Sequence, residues 1–227
     1  GKKVYVRHAD EADFGLVLAR CMDGDRDEGH AVFLVPPRHE NIRKEKIRLI
    51  HAIDSCHLIL DGLEVADDCR VGDIGDGLRL VRHWMNEQQL LLSARCLGVA
   101  GKALELAVEW ASARVTFGKK LKDREAIQVM VADCLTDLKS ARFMLWNGAL
   151  KMDQSLPTEP DVPMAKMVCA DAAFRVIDRC IQIHGGMGVA QEFPLERWYK
   201  EIRAVRLQFG NADAIRKRIG RMQWETV

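Results

Sequence analysis

The spacing of apolar and polar positions changes character once along the chain. Up to about position 75, β-branched and apolar residues come in short runs cut by turn-forming clusters, a pattern that predicts strands. The predicted strands are 3–7, 16–19, 31–35, 47–50 and 58–60, with breaks at Asp23-Gly24-Asp25, Pro36-Pro37 and Asp61-Gly62. Strands this short need sheet partners. From Asp76 the period becomes 3.6, and helices are expected to the end. The first runs from a possible N-cap at Asp76 toward Arg114, roughly 57 Å at 1.5 Å per residue, which points to a bundle. A second, about 124–152, carries Ile127, Val131, Cys134, Leu138, Ala141 and Leu145 at alternating spacings of four and three. A third starts at Pro163 after Asp161 and stops at Gly185, with the seam Met167, Ala170, Phe174, Ile177 and Ile181. Pro194 opens a fourth through position 207, and Asn211 can cap a short fifth. The expected class is α+β: a β-domain over 1–75, then an up-and-down four-helix bundle over 76–227.

Composition narrows the function without naming it. The 227 residues carry 34 Lys+Arg against 33 Asp+Glu, so no basic excess is available to neutralise a nucleic-acid backbone. No apolar run approaches the roughly 20 residues of a spanning helix. The seven cysteines are odd in number and scattered, without zinc-type pairing, so no metal site is expected. They read as reduced core thiols of an intracellular protein; the cytoplasm is expected, and a mitochondrial matrix fits as well. The opening Gly1-Lys2-Lys3-Val4 has neither an initiator Met nor the character of a signal or transit peptide, so a start partway through a longer protein is expected.

Two segments carry candidate chemistry. Gln182-Ile183-His184-Gly185-Gly186-Met187-Gly188-Val189 removes three side chains from a bend after an amphipathic helix, leaving backbone N–H groups open to a phosphate-bearing cofactor. A plain glycine-rich helix connection is the competing reading, with His184 a capping or core histidine. Arg114-Val115-Thr116-Phe117-Gly118 ends the long helix with a cation, an aromatic and a helix-stopping glycine. It could hold an anionic, aromatic ligand by ion pairing and stacking, or Arg114 could simply suit a helix C-terminus.

Together the two segments resemble the acyl-CoA dehydrogenase family. The resemblance extends over nearly the whole chain. It takes in the residues from Ala12 to Arg20, Leu63-Glu64-Val65-Ala66, Gly75-Asp76-Gly77-Leu78, Ala94-Arg95-Cys96-Leu97-Gly98-Val99-Ala100 and Phe193-Pro194-Leu195-Glu196-Arg197. It corresponds to the C-terminal two-thirds of such a chain, without the N-terminal helical domain and first strands, either truncated or paired with another subunit. The resemblance implies bound FAD and a tetramer, a dimer of dimers. In it, Arg114, Phe117, Gln182, Gly185, Gly186 and Gly188 hold the adenosine diphosphate end of a neighbour's FAD. It further implies α,β-dehydrogenation of an acyl-CoA in fatty acid metabolism, hydride passing to flavin N5 and electrons to an electron-transfer flavoprotein.

At the reacting end this sequence departs from the family. The usual base is the Glu of a Tyr-Glu-Gly-Thr run; here Gln208-Phe209-Gly210-Asn211 stands in its place, and Phe209 cannot accept a proton. A minority of the family uses a base on the first long helix, followed by an arginine; those positions fall on Gln88 and Gln89, beside Glu87. Leu80, Trp84, Glu87, Leu91, Ala94 and Gly98 share one helical stripe, where desolvation would raise the pKa of Glu87 toward that of a general base. At the stripe's edge the same carboxylate would instead reach solvent or a basic partner. Tyr5 and Arg7 occupy positions where the family packs a tryptophan on the flavin and a threonine near N5, and Glu125 replaces a glutamine that meets the neighbour's adenosine. Three functions therefore remain in play. They are an acyl-CoA dehydrogenase with a displaced base, a flavin monooxygenase or oxidase on the same fold, and a non-catalytic subunit that clamps a partner's FAD.

Overall fold

The computed structural model describes residues 1–36, 38–50 and 54–225, so Pro37 of the predicted Pro36-Pro37 break lies outside the described residues. They form two compact units, Gly1–Met85 and Asn86–Val227.

The first unit holds two antiparallel three-stranded sheets. One orders β1 (Lys2–Arg7), β5 (Ser55–Leu60) and β4 (Ile42–Ile47) as β1-β5-β4; the other orders β2 (Gly15–Asp23), β3 (Arg26–Val35) and β6 (Arg70–Val71) as β2-β3-β6. Asp23 pairs with Arg26 where the predicted turn closes the β2–β3 hairpin. The predicted strand at 47–50 is displaced: β4 pairs with β5 from Ile42↔Leu60 to Ile47↔Ser55, so Ile47 ends the strand rather than starting it. The reason is that β4 lies at a sheet edge, where a strand carries charges such as Arg43, Lys44 and Lys46 and does not read as an apolar run.

Helix α1 (Gly77–Ala113) begins in the first unit and continues into the second, which also contains α2 (Glu125–Asp153), α3 (Asp161–His184), α4 (Pro194–Val205) and α5 (Ala212–Glu225). Backbone N–H of Leu80 donates to the Asp76 carbonyl, which makes Asp76 the residue from which α1 starts. Asn211 caps α5 as expected, its Oδ1 accepting the Ala214 N–H at 2.8 Å. The α2 seam is buried at Cys134, Leu138, Ala141 and Leu145.

Helix α3 is the hub of this unit. It packs against α2, α4 and α5, and it is buried well beyond its predicted seam, at Ala165, Cys169, Ala172, Ala173, Val176 and Cys180 as well as Ala170 and Ile177. Small residues around most of its girth let neighbouring helices approach closely. Its polar edges are tied outward: Asp137 of α2 accepts hydrogen bonds from Arg175 and Arg179, at 2.6 to 3.1 Å, and Asp171 accepts one from Arg206 at 2.7 Å. The two arginines hold the Asp137 carboxyl below the usual carboxylate range.

Candidate functional site

The cation and aromatic of the first segment sit on a hairpin, not on a helix end. Helix α1 stops at Ala113, and β7 (Val115–Thr116) pairs with β8 (Lys119–Lys120) around a two-residue turn, Phe117-Gly118. Both turn residues have positive φ, 49° and 72°, the requirement of a hairpin turn whose twist matches its strands. Gly118 is therefore a turn glycine rather than the helix-stopping glycine expected, because the helix has already ended. The base of the hairpin is closed by the Leu121 N–H donating to the Arg114 carbonyl at 3.0 Å. Arg124 donates to the Thr116 hydroxyl at 3.2 Å and lies 5.9 Å from the centre of the Phe117 ring. Phe117 is nevertheless 100% exposed: a phenyl group in a left-handed conformation is held fully in water.

The glycine segment begins where α3 ends. Gly185 has φ 61° and passes the chain into a 3₁₀ turn over Gly185–Val189. The glycines serve different ends. A Cβ on Gly188 would lie 2.5 Å from the Ile181 carbonyl oxygen, so this residue lets the turn fold back on its own helix. A Cβ on Gly186 would meet nothing within 4 Å, and no contact inside the chain demands its bareness. Gln182, on the last turn of α3, is exposed.

His184 joins the two segments. Its ring stacks on Trp110, one helical turn before Arg114, with centroids 5.4 Å apart, and its other side meets Phe193 at 4.9 Å. Nδ1 lies 2.7 Å from the Cys180 carbonyl, which only accepts, so Nδ1 carries the proton and Nε2 presents a buried lone pair with no hydrogen-bond partner. The sequence reading of a core histidine is the one the geometry realises, with a consequence it did not foresee. The ring packs Trp110, one turn before the end of α1, against the residue that precedes the glycine turn. His184→Ala is expected to empty the space between Trp110 and Phe193 and to cost about 3 kcal/mol, a fall of roughly 6–12 °C in the thermal midpoint.

The stripe drawn through Glu87 is corrected. Trp84, Glu87, Leu91, Ala94 and Gly98 are all exposed, and the buried face of α1 is the one carrying Gln89, Leu92, Ser93, Cys96 and Ala100. The apolar spacing misled because α1 is apolar on both faces. The burial on which a base role for Glu87 was predicated is absent in this chain. Phe209 packs its ring against the core cluster of the bundle. Tyr5 lies at a β-bulge of β1 with φ 56°, its ring 5.3 Å from His57 and largely exposed.

A group that sequence reasoning missed lies beneath Phe209. Lys166 of α3 is 1% exposed and donates to the carbonyls of Gly210 at 2.7 Å and Arg206 at 3.4 Å, while Gln89 Nε2 donates to the Phe209 carbonyl at 2.7 Å. Burial pushes the Lys166 ammonium down to about 8 and the neighbouring thiol of Cys96 up to about 12. A lysine in the first turns of a helix reads as a solvated charge, so only its position one residue from the apolar Ala165 and Met167 hinted at burial.

With this geometry in view, residues 75–223 match the family model for the C-terminal domain of acyl-CoA dehydrogenases. The chain belongs to the acyl-CoA dehydrogenase family. It is 30% identical over 216 residues to the mitochondrial short-chain specific acyl-CoA dehydrogenase of Bos taurus, which covers 94% of this chain and 52% of that one. It is 27% identical to a subunit of the caffeyl-CoA reductase-Etf complex of Acetobacterium woodii, over 93% of this chain and 57% of the relative. The solved structure of PigA with FAD and proline superposes with a TM-score of 0.91 at 25% identity, over 98% of this chain and 59% of that one. The chain thus spans about half the length of the curated relatives it matches. Membership makes this an oxidoreductase-type chain of a flavoprotein family, built from helices and antiparallel sheets as its relatives are. Among the described residues no helix is long and apolar enough to cross a membrane.

Proposed function

We propose that this chain is the FAD-holding part of an acyl-CoA dehydrogenase that oxidises an acyl-CoA thioester between Cα and Cβ and passes electrons to an electron-transfer flavoprotein. The observation that supports the reading is the Trp110–His184 stack, which links the last turn of α1, just before the Arg114–Phe117 hairpin, to the residue that precedes the glycine turn. The residues fit the tail of FAD. Arg114 offers a forked cation to a pyrophosphate, Phe117 a free ring face to an adenine, and Gly186 an approach to backbone that no side chain obstructs. Bound FAD would supply the hydride acceptor. The protein's own tasks are to anchor the nucleotide end, to orient the acyl chain and to keep water away from the reacting carbons. A fully exposed phenyl ring and an unused glycine suit a nucleotide brought by a second copy, as in the homotetramer that the family resemblance implies.

Phe209 favours a second reading on the same fold, in which reduced flavin reacts with oxygen and no α-proton acceptor is required. The oxidised chain should retain a yellow cofactor through gel filtration, and Arg114→Met should weaken FAD binding about tenfold or more, as loss of a charge-assisted contact does. Absence of retained flavin in the wild-type chain, and of any saturable FAD binding, would overturn both readings. Bleaching by a panel of acyl-CoAs with ferrocenium as acceptor supports the first. Oxygen consumption with a flavin reductase and no thioester supports the second.

A further inference from the structure

Two buried thiols are set against each other in the bundle, and the flavin-tail site uses neither. Helices α2 and α3 run antiparallel, with their register pinned level by level. Asn147 donates to Asp161 at 2.8 Å, the Cys169 thiol to the Ala141 carbonyl at 3.4 Å, and Arg175 to Asp137 at 2.6 Å. At the next level Arg179 bridges Asp137 at 2.8 Å and Asp133 at 3.4 Å. Asp133 and Arg179 lie at the wet edge of the seam, while the next residue of each helix, Cys134 and Cys180, is 0% exposed. Successive helical side chains point about 100° apart, so an edge pair at 133 and 179 turns 134 and 180 inward toward one another. Their thiols are hydrogen-bond partners.

The surroundings make the two sulfurs unequal. The hydrogen bond from Cys180 and the adjacent Arg179 guanidinium hold Cys134 below the usual thiol range, and the same bond together with burial pushes Cys180 up. A sulfur that ionises readily beside one that keeps its proton is the pairing of an attacking and a resolving thiol. Cys96 and Cys169, in the same core, are instead pushed up to about 12 by burial. Cys180 also reaches the end of its helix, because its carbonyl accepts the His184 Nδ1–H at 2.7 Å, immediately before Gly185.

We propose that Cys134 and Cys180 form a redox-active dithiol, a modification site at which a peroxide closes a reversible disulfide between α2 and α3. Hydrogen peroxide is little larger than water and enters when the Asp133–Arg179 edge opens. The Cys134 thiolate attacks one peroxide oxygen and the O–O bond breaks. Cys134 becomes a sulfenic acid, and the departing hydroxide takes up the proton that Cys134 gave away. The Cys180 thiol then attacks the sulfenic sulfur, the S–O bond breaks, and a second water leaves with the Cys180 proton. Two thiols and one peroxide become one disulfide and two waters, the sulfurs losing the two electrons that the peroxide gains. The link ties down the last turns of α3 and, through the Cys180 carbonyl, the residue that leads into the glycine turn.

The test treats the full reduced chain with hydrogen peroxide, alkylates the remaining thiols and maps the peptides by mass. Cys134 and Cys180 should be recovered as one linked species that has lost two hydrogens and is released by dithiothreitol, with Cys96 and Cys169 still alkylated. Cys134→Ala or Cys180→Ala should abolish the link, and the wild-type map decides alone if these variants do not fold. Arg179→Gln should slow closure about tenfold and Arg179→Lys should keep most of the rate, because a cation favours the thiolate. Amide exchange at 182–188 should be about tenfold slower in the linked chain than in the reduced one. Recovery of both cysteines as free thiols, as separately oxidised sulfurs or linked to other cysteines overturns the proposal. Closure in Arg179→Gln at the wild-type rate or faster overturns the activation by Arg179, and unchanged exchange at 182–188 overturns the tie to the glycine turn. None of these measurements requires bound flavin, so their outcome is separate from that of the cofactor reading.

Discussion

Gly188→Ala should lower the thermal midpoint by roughly 6–12 °C, about 3 kcal/mol, whereas Gly186→Ala should leave it unchanged and weaken FAD binding about tenfold. The two glycines are separated by one residue and have opposite reasons for being glycine. A methyl group on Gly188 would press 2.5 Å from the Ile181 carbonyl oxygen and 2.9 Å from its Cα, so the 3₁₀ turn would have to lift off the last turn of α3. Backbone cannot yield as a flexible side chain does, which places the cost at the upper end of overpacking. A methyl group on Gly186 has open space around it within the chain and interferes only with something arriving from outside. Thermal melts beside FAD titrations separate the two effects. If Gly186→Ala alters stability and leaves FAD affinity untouched, the bareness of that position has no binding purpose.

The second large effect concerns pH. Burial lowers the Lys166 ammonium from 10.5 in the unfolded chain to about 8 in the folded one. Between those values the unfolded chain holds the proton more firmly, so the lysine makes the fold gain stability as pH rises from about 8 and level off near 10.5, by about 3 kcal/mol in all. Buried thiols act in the opposite sense. Cys96 and Cys169 ionise at 9.0 when unfolded but are pushed to about 12 by burial, so they subtract stability above pH 9. The useful observable is therefore the wild-type stability minus that of Lys166→Met, read between pH 8 and 9, below the range in which the thiols ionise even when unfolded. That difference should climb between pH 8 and 9 in urea melts. A flat difference would mean that the buried amine titrates as an ordinary exposed lysine.

Much of the architecture was readable before any coordinates. Helix stops and starts were marked by Asp76, Gly185, Pro194 and Asn211, because capping chemistry is local and leaves its residue types in place. The α2 seam was readable for the same reason, since one face of that helix alone is buried. The errors arose where burial is decided from afar. Helix α1 is apolar on both faces, and spacing alone does not tell which of them is buried: Glu87 lies on the exposed one and Gln89 on the buried one. Strand β4 was displaced because an edge strand is charged, and its register comes from β5. The hairpin at Phe117-Gly118 was hidden behind the continuing helix pattern. Lys166 was invisible because the carbonyls that hold it lie 40 and 44 residues away in sequence.

The two candidate motifs were legible as motifs, yet their adjacency was not. The link between the end of α1 and the residue before the glycine turn runs through rings, Trp110, His184 and Phe193, that read as ordinary core. A physical reading of sequence finds groups able to bind; tertiary packing decides which of them share a corner.

Hairpin tips with two left-handed positions ordinarily carry asparagine and glycine, the residues that take that geometry at least cost. This chain places a phenylalanine at the first of them and leaves the ring entirely wet. Directed evolution toward heat resistance alone should therefore drift to asparagine at position 117, and the hardier descendants should be the ones that come off the column colourless.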